Sequence, residues 1–147
     1  MIVTVLVIVA ILVVRGDEEF DRSTFGVTRD GDGRVAVVVS PCEVSGIGWV
    51  EVGVGPEGER PTIVYSARLD DRSLAANEVA LGAPPLGYEG TENPSELGAD
   101  VVVWQLRTPE AEDLMPSPFR FDATALTPGV VLAGDGENVA IEEWRSC

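Results

Sequence analysis

Chemistry in this 147-residue chain has to come from carboxylates, arginines, hydroxyls and two thiols, because it contains no histidine and no lysine. That removes the usual general base of hydrolytic and acyl-transfer sites, and no Gly-x-Ser-x-Gly sequence presents a nucleophilic serine. Paired carboxylates could cleave a glycosidic bond across about 5–10 Å. With 25 acidic residues, however, pairs at that distance arise by chance and none is singled out. The chain therefore reads as a non-enzyme with no catalytic residue and no cofactor.

Two motifs resemble binding loops. Gly53-Val-Gly-Pro-Glu-Gly58 matches the dinucleotide pattern, but that site needs a helix N-terminus facing the pyrophosphate. Pro56 inside the motif and Pro61 beyond it predict a turn between strands instead. Asp30-Gly-Asp-Gly33 superficially matches a calcium loop. An EF-hand needs oxygen at position 5 and glutamate at position 12, and Arg34 and Pro41 occupy those places. The expectation is a hairpin, with no metal site.

The elements around these loops read as strands. Strands are expected at Thr24–Thr28, Arg34–Ser40, Ile47–Val54, Thr62–Ala67, Asp100–Arg107, Phe119–Ala123, Gly129–Leu132 and Asn138–Trp144, separated by Gly, Pro and Asp turns. Residues 70–81 could hold a short helix, and 82–98 a long loop. In Ile47–Val54 the alternation turns Val50, Val52 and Val54 to one face and Trp49 and Glu51 to the other. In Asp100–Arg107 it predicts Val102, Trp104 and Leu106 on one face. Seven or eight short strands with little helix point to an all-β fold, an antiparallel β-sandwich of Ig-like architecture over residues 23–147, with a small barrel as the alternative.

The first fourteen residues are apolar except Thr4, and the run ends at Arg15-Gly16-Asp17. As a helix it would reach about 21 Å, short of the roughly 30 Å of hydrocarbon a span must cross. Its length suits the apolar core of a signal peptide, though no basic region precedes it and no small-residue cleavage site follows. Arg15, Arg22 and Arg29 follow the run, which by the positive-inside rule favours a cytoplasmic domain. A start upstream, supplying a basic region and more apolar residues, would reverse that reading. Residues 1–15 are thus read as a hydrophobic helix acting as signal or membrane anchor, and 16–22 as an acidic tether. Ten β-branched residues among the first fourteen support the competing reading of a buried strand.

Net charge is −15, with ten arginines as the only basic side chains. Such a surface is repelled by nucleic-acid phosphate and anionic lipid, so nucleic acid is excluded as a partner. Arginine without lysine suggests a GC-rich bacterial source, with a salt-adapted organism as the competing origin. If the domain is exported, Cys42 and Cys147 should form a disulfide. Closing that loop would contribute roughly 4–5 kcal/mol in the chain-entropy model. Trp49 on its polar face, and Leu86 and Tyr88 in the long loop, are the candidate partner contacts; Trp49 and Trp104 could equally fill the core.

Pro41-Cys42 after a valine strand, Val103-Trp-Gln-Leu-Arg107 and the closing Arg145-Ser-Cys147 resemble small exported or membrane-anchored proteins of actinobacteria, a group that brings no activity with it. The expectation is a single-pass membrane protein whose domain is extracytoplasmic, or a secreted one, with a binding or envelope-assembly role toward an unknown protein or membrane complex. A carboxylate-dependent hydrolase or ion-dependent enzyme, and a structural accessory subunit of a membrane complex, are the alternatives.

Overall fold

The valine-rich alternation folds as two five-stranded antiparallel sheets packed as a sandwich. The computed structural model describes residues 23–92 and 96–146. The expected N-terminal hydrophobic helix and acidic tether lie outside the described residues.

The first sheet has the order β10-β9-β1-β2-β5. It comprises β1 (Phe25–Arg29), β2 (Val35–Val39), β5 (Glu78–Ala80), β9 (Val130–Ala133) and β10 (Asn138–Ala140). The second has the order β6-β4-β3-β7-β8. Its strands are β3 (Trp49–Val54), β4 (Thr62–Leu69), β6 (Tyr88–Gly90), β7 (Val101–Arg107) and β8 (Phe119–Phe121).

Local chemistry sets the turns. Asp30 Oδ1 accepts from the Asp32 and Arg34 amides at 2.9 Å each, and Gly33 takes a left-handed φ of 81°. This is a side-chain-closed hairpin turn between β1 and β2. Of Gly53–Gly58, the first two residues end β3 and the rest turn the chain toward β4, with no helix after it. The Arg120 guanidinium fastens that turn, donating to the carbonyls of Gly55 at 2.8 Å and Pro56 at 3.2 Å.

Between the sheets lie Val27, Val37, Val39, Ile47, Val50, Val52, Tyr65, Val79, Val101, Val103, Leu106 and Phe121, all buried. Branched side chains suit this position because they fill a pleated surface at little rotamer cost. A second, smaller apolar cluster sits on the outer face of the first sheet. Ala36, Val38, Val131 and Ala133 are covered there by Trp144, carried on the five-residue helix α1 (Ile141–Arg145). The Trp144 indole N–H donates to the Val39 carbonyl at 3.3 Å. Arg145 holds both carboxylate oxygens of Glu78 at 2.7 Å. Beneath the cluster, a Cβ on Gly26 would stand 2.7 Å from the Leu132 carbonyl oxygen, so only glycine lets β1 and β9 approach there.

Four readings of the sequence need correction. Residues 70–81 form a single 3-10 turn at Arg72–Leu74 and then β5, because Asp71 caps the turn through the Ser73 amide and Ala75 is extended. The loop expected over 82–98 contains the short edge strand β6. The final strand is cut at Ala140, where α1 begins. Most consequential is β7. The pairing of β3 with β7 shifts register between Glu51 and Val52, so Gln105 and Val103 face adjacent β3 residues and Trp104 is extra. A bulge puts neighbouring residues on one side and reverses the alternation beyond it. Leu106 therefore enters the core with Val101 and Val103, while Val102 belongs to the other face. The expected single face of Val102, Trp104 and Leu106 does not exist.

Candidate interaction face

The outer face of the second sheet is built differently from that of the first. Trp49 lies directly opposite Arg68 of β4 on one side and Arg107 of β7 on the other. Their guanidinium carbons stand 5.4 Å and 5.0 Å from its ring centroid. Arg68 is paired in register with Glu89 of β6, and Arg107 bridges to Asp113. Glu89, Arg68, Trp49, Arg107 and Asp113 thus make one transverse row of alternating charge around an aromatic centre. The Arg107 Nε donates to Asp113 Oδ1 at 3.0 Å. Each cation–π contact at this exposure is worth about 0.5–1 kcal/mol, enough to hold the side chains in place rather than to fold the domain. The neighbouring row is Ser66, Glu51 and Gln105.

Trp104 lies beside this lattice in another setting. It lines a shallow groove with Gln105, Asp113, Met115, Pro116, Ser117 and Pro118. Neither Trp49 nor Trp104 belongs to either apolar cluster, and both are half-buried. Among the described residues, the Trp104 side chain has no hydrogen bond, ring contact or cation over it.

The two loop candidates separate. Leu86 is 82% exposed. Tyr88 faces inward: its hydroxyl donates to the Ile47 carbonyl at 2.5 Å and accepts from the Ala76 amide at 2.9 Å. Burial raises its phenol above the ordinary value, against a weaker opposing effect of the Ala76 backbone bond. Tyr88 pins the long loop to the sandwich end and leaves Leu86 alone at the tip.

Acid–base features are sparse. The Asp71 and Asp122 carboxyls lie below their ordinary value, chiefly because they accept from the hydroxyls of Ser73 and Thr124 and then from those residues' amides. A general acid requires the opposite displacement. No group of three or more metal-binding side chains converges among the described residues.

Of the expected disulfide, Cys147 lies outside the described residues. Cys42 Sγ is 3.2 Å from the carbonyl oxygen of Ser146, the residue before it. Ser23, where the described chain starts, lines the same small cavity as Cys42, Trp144 and Ser146.

The alternation in β3 placed Trp49 outward. What it could not supply was the arginine frame, because Arg68 and Arg107 lie 19 and 58 residues away in sequence and meet Trp49 only through register. Trp104 escaped because its position depends on the bulge. No protein-family model, curated protein or solved structure matches this chain.

Proposed function

We propose that the chain is a membrane-tethered, extracytoplasmic β-sandwich that acts without catalysis, in recognition or assembly at the cell envelope. The outer face of the second sheet is its binding side. The observation that carries this reading is the contrast between the tryptophans. Trp144 closes a core, whereas Trp49 and Trp104 are held by rigid strands outside both clusters. Half-buried aromatics held on strands outside the core are the side chains on which partners anchor.

Two further observations support the tether. The described residues expose only three large hydrophobics, Ile63, Leu74 and Leu86. The apolar run of residues 1–14 is itself suited to lipid or to another membrane protein. No described helix is long and apolar enough to cross a membrane, and the tether is assigned to residues 1–15. Cys42 also lies where a disulfide to Cys147 would fasten the C-terminal helix, and such a bond persists in an oxidising compartment.

Alkylating thiols in intact cells before lysis tests the location. The expected result is a membrane-associated chain that external protease digests in spheroplasts and whose cysteines take up label only after reduction. A soluble, protease-protected chain with both cysteines alkylated would overturn the proposal.

A further inference from the structure

We propose that the groove beside Trp104 is a saccharide subsite, holding one ring of a neutral glycan against the indole. The proposal rests on the reading of this face as the binding side and adds its ligand class. The two tryptophans of the face are not equivalent. Two guanidinium groups already stand over the Trp49 ring, so a neutral ligand would meet cations there rather than a bare indole. Trp104 has no such neighbours, and the bulge in β7 turns it out of the strand alternation onto the groove. Met115, Pro116 and Pro118 line the same groove, and prolines keep such a lining rigid without a ligand.

The polar groups narrow the class. Gln105 supplies a planar amide with both donors and acceptors, and its side chain has no hydrogen-bond partner among the described residues. Asp113 is fixed by Arg107 through Oδ1, which leaves Oδ2 as an oriented acceptor. Ser117 adds a hydroxyl. Planar amide and carboxylate groups pair with adjacent ring hydroxyls, while the C–H face of a pyranose packs on an indole.

Competing classes fit less well. A purely apolar ligand would bury the Asp113 carboxylate without replacing its water. An anionic ligand meets that carboxylate on a chain of net charge −15. The groove, about 190 Å³, has room for about one ring. Binding is therefore weak for each unit and gains from a repeating polymer.

The test uses the full chain in lipid nanodiscs, titrated with cellotetraose, xylotetraose and tetra-N-acetylchitotetraose, and with tetraglutamate as the acidic-peptide alternative. Readouts are indole fluorescence and two-dimensional NMR shifts. At least one oligosaccharide should bind saturably below about 10 mM. Trp104→Ala should weaken it by about tenfold or more and Gln105→Ala severalfold, with Glu142→Gln, exposed on the opposite face, within about twofold of wild type. Gln105→Ala removes no hydrogen bond within the described protein, so it decides the matter should Trp104→Ala fail to fold. Absence of oligosaccharide binding, binding unchanged by Gln105→Ala in a folded protein, or binding of the peptide alone would overturn the proposal. Location is read separately by thiol alkylation, so a membrane-tethered, extracytoplasmic chain that binds none of these sugars loses the glycan assignment and keeps the tethered reading.

Discussion

The two outer faces of this sandwich use tryptophan for opposite ends. On the first sheet, small residues and valines make a hollow that Trp144 fills, its indole N–H satisfied by the Val39 carbonyl. On the second, Trp49 stands between Arg68 and Arg107, and Trp104 borders an open groove. The difference lies in the side chains underneath. Where alanine, glycine and valine floor a sheet, an aromatic can descend and become core. Where arginine, glutamate, serine and glutamine surround it, the ring stays half out and water remains at its edge. One face has been closed by the chain itself, and the other stays open.

If that contrast is right, substitutions on the two faces should separate by size. Trp144→Ala removes the cover of the second cluster and leaves a void against Val38 and Val131. It should cost about 3–5 kcal/mol in urea unfolding, as buried tryptophan truncations do. A cost below about 1 kcal/mol would mean that the helix is not holding the face. Gly26→Ala attacks the same face from below, setting a methyl group 2.7 Å from the Leu132 oxygen and the Val131 Cγ1. About 1–3 kcal/mol of destabilisation is expected from overpacking, with weaker amide protection in β1 and β9.

The second face should respond less. Trp49→Ala deletes two cation–π contacts and should cost about 1–2 kcal/mol, with its unfolding midpoint well above that of Trp144→Ala. Reversal of that order would remove the distinction between the faces.

The smallest effect concerns acid. Asp71 and Asp122 have folded values below the ordinary carboxyl value, so the stability they contribute is present above that value. It is lost as pH falls through their lowered ones. Replacing both with asparagine, which still caps, should flatten the fall in melting temperature between about pH 5 and 2 while leaving neutral stability nearly unchanged. A wild-type acid limb in the double variant would place the loss elsewhere.

Much of the scaffold was legible from local pattern. The hairpin at Asp30–Gly33 follows from Asp and Gly in positions that close a turn, and strand β3 from a clean alternation around Val50 and Val52. Legibility failed where tertiary contacts decide. Ile141 continues the alternation of Val139, yet the chain turns helical at that point because Trp144 must reach the hollow over Ala36 and Val38. Residues 78–80 carry too short a pattern to declare a strand, and become one by pairing with β2. The candidate face was legible only in part. Trp49 was placed outward by alternation, but its arginine partners depend on register across three strands, and Trp104 depends on one inserted residue in β7.

The most direct test of the account compares the two faces in living cells. A photo-crosslinking residue replaces Glu51, between Trp49 and Trp104 on the open face, or Glu142, exposed on the helix that closes the other. The account predicts ultraviolet-dependent attachment to envelope material from position 51 and not from position 142. Attachment from position 142 with none from position 51 would contradict it.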